Sequence, residues 1–408
     1  MMHTYKKVGC LALLLLLLIG TVACQAFKGE VQPEHTSGEE QSSDVGSDTS
    51  DTPGSEQITE QTTEQQTDPG TQTNAPDSEQ TTEGQGNADN GIVTPSAQGY
   101  TYPDLVDDLA ALADAYGAYF TYESIGKSVD GREIFACVVG NPDAEKRILL
   151  TGGIHGKEYL SSLVVMTQVE YYLANRETGR YNGLSYAELL DTHAFYVLPM
   201  INPDGVMLAL CGIESMQTPE ARAAVEKVFA DNKRDGLTGA DDINVYLAYN
   251  WKANANGVDL NRNFALSNWE EVNTGILSPC FRNYKGPHAA SEPETQAVSA
   301  YVESIGALES LLAFHTAGQV VYWDCGMTGG VRQQTLDLAQ AVCDHTGYKL
   351  IYDKHLDASL NDWITLERDV PSVTVELATV EYPMPTSMLE EAFAQTKELW
   401  VVAAQLLG

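Results

Sequence analysis

The chain has 408 residues, 57 of them Asp or Glu and 23 Lys or Arg, for a formal net charge of -34. That balance excludes a nucleic-acid binder working by phosphate neutralisation, and no protein partner is evident from it. A hydrophobic content of 43% suffices for a globular core, and the length allows one large domain or two ordinary ones.

Residues 1–24 open with Lys6 and Lys7, pass through an apolar run from Leu11 to Ile19 and end on Thr21-Val22-Ala23-Cys24. The run is too short to span a bilayer comfortably and has the layout of a secretory signal peptide. Ending on Cys24, it resembles a bacterial lipoprotein signal. That implies a lipid anchor on Cys24 and an exported protein at the extracellular face of the cell membrane; a plain secretory signal or an uncleaved anchor is the other reading. Residues 25–99 hold fifteen acidic residues against one lysine, with Phe27 as the only aromatic. Such a composition cannot bury enough apolar surface to offset chain entropy, so a disordered acidic linker is expected. Residues 100–408 keep 42 acidic and 20 basic residues and are expected to form one domain. Five of the seven cysteines lie there without a C-x-x-C pair, which argues against a thiolate metal site. Small buried cysteines, with room for one bridge, are expected instead.

Tyr102 to Tyr116 places apolar residues at helical spacing, with Pro103 and Asp104 in the first turn. FTYESIG and REIFACVVG then read as strands around the turn Val129-Asp130-Gly131. Arg147 to Thr151 (RILLT) is a short apolar strand without alternation, as expected of one covered on both faces. A mostly apolar helix is predicted from Glu158 to Ala174, further strands at AFYVLPM, SLLAFH and SVTVEL, and helices over 219–231, 291–304, 331–346 and 386–406. Strands alternating with helices predict a single α/β domain whose mixed, largely parallel central sheet is covered by helices on both faces.

Four polar stretches fall at strand ends or loops of this framework. His155-Gly156-Lys157-Glu158 sits where a buried strand turns into a helix, the end of an open α/β sheet at which ligands bind. In a chain with eight histidines one H-x-x-E is near chance expectation, and a solvated turn would also account for it. His315 closes the strand SLLAFH; alone it reads as structural, but it occupies the same topological position as His155. Two His and one Glu with an open fourth position would make a catalytic zinc site. Glu376 interrupts the apolar strand SVTVEL, and a carboxylate there is costly to bury unless it faces a site, where it can exchange a proton with a metal-activated water. Finally, Asn261-Arg262-Asn263 presents an Arg fork between amides, suited to bidentate capture of a carboxylate or, more simply, to a polar surface loop.

Together the stretches TGGIHGKEY, MINPDGV, NWKANANGVDLNRNF, YKGPHAASEPET, AFHTAGQVVYW, DASLNDW and PSVTVELA, in that order over most of residues 100–408, resemble the zinc carboxypeptidase family of the carboxypeptidase A/B type. The resemblance implies one zinc ion held by His155, Glu158 and His315, with Glu376 as general base and acid. It implies Asn261 and Arg262 as the clamp on a substrate carboxylate, and Lys252, after Trp251, in place of the family's oxyanion-stabilising Arg. Asn361, two residues before Trp363, takes the position that often sets side-chain preference, which suggests a polar pocket. The family's mobile Tyr has no counterpart between His355 and Asp357, leaving Tyr352 and His355 as the nearby candidates.

The ending with Tyr382-Pro383-Met384-Pro385 is similar to the bacterial branch that includes γ-D-glutamyl-diaminopimelate peptidases. The expected function is therefore a zinc-dependent peptidase cleaving an amide next to a residue with a free carboxylate. A murein peptide is the favoured substrate, and a broad carboxypeptidase for extracellular peptides the alternative. A non-catalytic, peptide-binding lipoprotein would lack a ligand or the base, whereas all four residues are present.

Overall fold

Thr101 starts the first helix (α1, Tyr102–Tyr116) with a capping box, its side chain and that of Asp104 each meeting the other's backbone N–H. The computed structural model describes residues 91–407 apart from 324, 325, 354, 380 and 381. The expected signal peptide and most of the expected linker lie outside the described residues. The last part of that linker is packed rather than extended. The backbone N–H groups of Ile92 and Val93 donate to the two carboxylate oxygens of Glu170, at 2.7 and 2.8 Å, and Val93 is buried. The folded region therefore begins before residue 100, at the latest with the segment 91–99. Removing both acceptors with Glu170→Ala should release this segment at a local cost of about 1–3 kcal/mol. Hydrogen exchange should then show Ile92 and Val93 losing protection while the strands below keep theirs.

After α1 come β1 (Phe120–Lys127) and β2 (Glu133–Gly140), an antiparallel pair around the predicted turn, then β3 (Lys146–Thr151) and α2 (Leu160–Ala174). A small hairpin (β4, Arg180–Tyr181; β5, Leu184–Ser185) precedes α3 (Tyr186–Thr192), β6 (His193–Leu198), α4 (Pro203–Cys211), α5 (Pro219–Arg234) and α6 (Ile243–Asn250). Next are α7 (Pro293–Ile305), β7 (Ser310–Thr316), β8 (Val320–Trp323), α8 (Gly329–Thr346) and β9 (Lys349–Tyr352). The chain closes with α9 (Leu360–Arg368), β10 (Ser372–Leu377), α10 (Leu389–Thr396) and α11 (Leu399–Leu407). The single helix expected over 386–406 is thus a 3-10 turn followed by two helices.

Eight strands form one sheet in the order β1-β2-β6-β3-β7-β10-β8-β9. The middle four, β6-β3-β7-β10, are mutually parallel, and the strands next to them, β2 on one side and β8 on the other, pair with them antiparallel. Side chains of these strands alternate between two apolar cores. Ile148, Leu150, Leu312, Phe314, Val373 and Val375 join the core containing α1, α2, α8 and α11. Leu149, Leu311 and Ala313 join the opposite core with Val298 of α7 and Ile364 of α9. A sheet buried on both faces explains why the central strands read as continuous apolar runs. On the second face β10 presents Ser372, Thr374 and Glu376 instead of apolar residues, so a polar stripe interrupts that core at the parallel strand ends. Among the described residues Cys137, Cys280 and Cys343 are buried free thiols, so none of these three takes part in the bridge that the cysteine count allowed.

Candidate active site

His155 leaves the end of β3 and caps a 3-10 turn, Gly156–Glu158, that runs directly into α2. The turn rests on the first turn of α4: a Cβ on Gly156 would lie 2.4 Å from the Gly205 carbonyl oxygen, so no larger residue fits there. Asn202, ahead of α4, donates to the carbonyls of Ile154 and Ala253, tying the His155 strand end to the segment that carries Lys252. The Gly156 and Lys157 N–H groups bond the carbonyls of Lys252 and Trp251, which fixes Lys252 beside the turn.

The neighbouring strand supplies the next ligand. His315 lies at the end of β7 and is in register with Glu376 on parallel β10. Strands of one sheet run about 4.8 Å apart, and in-register residues of parallel neighbours face the same side. Both side chains therefore project over the second face, where they meet the His155 turn. His155, Glu158 and His315 are all buried, and one donor atom from each lies within 4.8 Å of the others. Glu158 Oε2 is 3.1 Å from Nδ1 of both histidines.

These residues fit a zinc ion. His155 Nδ1 is buried and has no hydrogen-bond partner, and two imidazoles with one carboxylate are the donor set of an open zinc site. Binding a cation through Nδ1 requires the proton on Nε2, and there Asp259 Oδ1 waits at 3.2 Å. Asp259 is itself held by the N–H groups of Asn261 and Asn283. Burial opposes its ionisation, but His155, Arg262 and the Asn283 N–H together outweigh that and hold the carboxyl below the usual range.

Two further charges border the ligands. The Lys252 ammonium is 2.7 Å from Glu158 Oε1. Burial works against the Glu158 charge, yet His155 and Lys252 prevail and keep that carboxyl well below its ordinary value. Burial likewise works against Lys252, and Glu158 followed by Glu376 keeps it protonated. For Glu376 the balance is reversed: burial, then the Glu158 carboxylate, outweigh the attraction of Lys252 and His155 and push it up to about 8, and its Oε2 is buried without a hydrogen bond. A cation held by the three ligands would lower that value by direct attraction.

A cleft of about 290 Å³ opens onto this group. Asn261 and Arg262 lie in a 3-10 turn capped by Asp259 and form one wall. Asn261 Oδ1 accepts from Leu360 N–H at the start of α9 (3.1 Å), and Arg262 Nη1 donates to the Asn261 carbonyl (2.8 Å). Arg262 Nη2 lies 3.1 Å from Asp357 Oδ2. The cleft is also lined by Asn361, Thr374, Tyr322 and Asp353, with Trp323 and Met327, and both amide atoms of Asn361 are buried without a partner.

His155, His315, Lys252, Asn261, Arg262, Asn361 and Glu376 thus line one cleft, and the buried Glu158 is clustered with its two histidines. Of the two candidates for the missing Tyr, His355 lines the cleft, while Tyr352 is exposed and packs edge-on against Trp323. Asp259 and Asp357 were passed over. A ligating His needs an acceptor for its second nitrogen, and an acid in the apolar context G-V-D-L was the available signal for Asp259. Nothing in the sequence pointed to Asp357.

A family model described as zinc carboxypeptidase matches residues 105–399. Among curated proteins the chain is similar to a gamma-D-glutamyl-L-diamino acid endopeptidase 1 of Lysinibacillus sphaericus, at 29% identity over 76% of this chain and 73% of that protein. It is also similar to carboxypeptidase B of Astacus astacus, at 27% identity over 59% of this chain and 68% of the other. Its fold matches that of a carboxypeptidase A from Helicoverpa armigera with a TM-score of 0.58, at 17% identity over 79% and 76% of the two chains.

Proposed function

The chain belongs to the zinc carboxypeptidase family and is a zinc metallopeptidase; from that premise we propose that it hydrolyses cell-wall peptides at the amide that joins a γ-D-glutamyl residue to a diamino acid. The observation that carries this reading is the juxtaposition, in one cleft, of a carboxylate clamp, a three-residue metal site and a polar pocket with unpartnered amide atoms. Asn361, Thr374, Tyr322 and the Asp353 carboxylate, the last paired with His355, give the cleft polar groups that suit a side chain ending in an amine. The similarity to an endopeptidase named for an L-diamino acid supports the same substrate class. The leader-like stretch 1–24 and the acidic segment after it support an exported enzyme held at the envelope, where such peptides occur.

When bound by His155, Glu158 and His315, zinc supplies positive charge that polarises the scissile carbonyl and acidifies water. Asp259 keeps the His155 proton on Nε2 and its Nδ1 lone pair toward the ion. Arg262 and Asn261 orient the carboxyl side of the substrate, and Asn361 and its neighbours receive the side chain of the diamino acid. Glu376 takes the proton from the attacking water and returns it to the leaving nitrogen, a duty suited to a carboxylate whose affinity for a proton is raised. The Lys252 ammonium stands beside the carbonyl oxygen as negative charge develops on it.

The test is a digest of purified muropeptides beside a panel of ordinary peptides, read by mass spectrometry. The enzyme is expected to release diamino-acid products from the muropeptides, to stop on chelation and to recover with added zinc. Trimming of ordinary C-termini with no muropeptide cleavage would instead assign a broad carboxypeptidase.

A further inference from the structure

The clamp arginine already has a carboxylate. Asp357 Oδ2 lies 3.1 Å from Arg262 Nη2, and both residues line the cleft. The pair is partly shielded, with Arg262 at 20% and Asp357 at 38% side-chain exposure, so its charges interact more strongly than fully solvated ones. Asp357 is also positioned by its backbone: its N–H donates to Asp362 Oδ2 at 2.9 Å, and Asp362 belongs to the capping box that starts α9. The next residue, Ala358, accepts from Phe264 N–H with its carbonyl, so the loop is pinned to the segment that follows Arg262. The carboxylate is a built part of the wall.

An arginine whose charge is neutralised from within discriminates weakly between a charged and an uncharged ligand. A substrate carboxylate must displace Asp357 or share the guanidinium with it, and either course cancels much of the gain from a new ion pair. A peptide carbonyl asks only for a hydrogen bond, which the remaining Arg262 donors can give while Asp357 stays in place. We infer that Asp357 is a specificity-determining residue that relaxes the demand for a free carboxylate next to the scissile bond, so that the enzyme also cuts where the peptide continues beyond the diamino acid. This deepens the reading of the site as a γ-D-glutamyl–diamino acid hydrolase and rests on it.

The experiment compares two synthetic substrates that differ only in the carboxyl group of the diamino acid, free in one and carried as an amide to a further D-alanine in the other. Wild-type zinc enzyme should cleave both with kcat/KM values within about tenfold of each other. Asp357→Asn keeps the shape and removes the charge. It should raise the ratio of kcat/KM for the free-carboxylate substrate to that for the extended one by about three- to tenfold, through KM of the former, in keeping with a partly exposed ion pair. Asp357→Ser, which shortens the side chain, should do the same and guards against a private effect of the new amide. A strong wild-type preference for the free carboxylate, or variants that move both substrates alike, would overturn the inference. Cleavage of neither substrate by an enzyme that trims ordinary peptides would instead sink the substrate reading on which it rests.

Discussion

Replacing Glu376 by Gln should lower kcat by about 1,000-fold while KM, zinc content and thermal stability stay near wild type. Proton transfer by a positioned carboxylate contributes roughly 10²- to 10⁴-fold, and an amide of the same shape can neither take nor give the proton. Zinc content should hold because the metal-ligand cluster is His155, Glu158 and His315, without Glu376. Stability should hold because Glu376 Oε2 has no hydrogen-bond partner to lose, and because burial and the Glu158 carboxylate already disfavour its charge. The measurement is steady-state kinetics beside elemental analysis of the same preparation. A variant retaining more than about a tenth of wild-type turnover would move the proton-transfer duty to another group.

A second large effect is expected far from the chemistry, at Arg132. Its guanidinium is buried and donates to Asp130 Oδ2 (2.6 Å), Asp204 Oδ1 (2.7 Å) and the Ser215 carbonyl (2.6 Å). Arg132→Met would leave two buried carboxylates facing each other, and breaking a buried ion pair by removing one partner costs about 3–5 kcal/mol. Urea unfolding should report that loss. Its pH dependence has a definite sign. Burial pushes the Asp204 carboxyl up even with Arg132 present, and without the guanidinium it rises further. A carboxyl whose folded value is raised is accommodated best when protonated, so the folded variant binds more protons than its unfolded chain, and its stability falls as pH rises through that range. The deficit relative to wild type should therefore be larger at pH 8 than at pH 5. Combining Arg132→Met with Asp130→Asn and Asp204→Asn should recover much of the loss, since no unpaired charge then remains.

Much of this molecule could be read from its residues, and what escaped has identifiable causes. Helix α1 declares both its apolar spacing and its first turn, and β3 and β7 are plain apolar runs because burial on both faces removes alternation, whereas β10 alternates Val373 and Val375 with Ser372, Thr374 and Glu376. Helices α3, α4, α6 and α9 have no counterpart among the predicted elements. Asn202-Pro203-Asp204-Gly205 reads locally as a turn, yet it opens α4 because Asn202 caps it and Pro203 fits a first turn. Ser359 and Asp362 spell a capping box ahead of α9, a signal that was present and went unused. Strands β8 and β9, four residues each, are held by their sheet neighbours more than by any pattern of their own. In the site, the ligands and Glu376 were legible because each places a charged or imidazole group where an apolar strand ends. The pairing of Arg262 with Asp357 was not, since it depends on how a loop nearly a hundred residues later folds back against the 3-10 turn.

The contact of Gly156 with Gly205 bears on how mutations in this protein would be classified. Neither residue carries a donor for metal or substrate, yet the His155–Glu158 turn keeps its shape only while α4 can approach to the distance that two bare backbones permit. Gly205 is equally confined, since a Cβ there would lie 2.4 Å from Asn202 Nδ2 and 2.7 Å from the Ala253 carbonyl oxygen. Genetic screens for loss of zinc should consequently return alleles in 202–206 alongside those in the ligands themselves, and a family pattern that scores only donor residues would pass such alleles as intact.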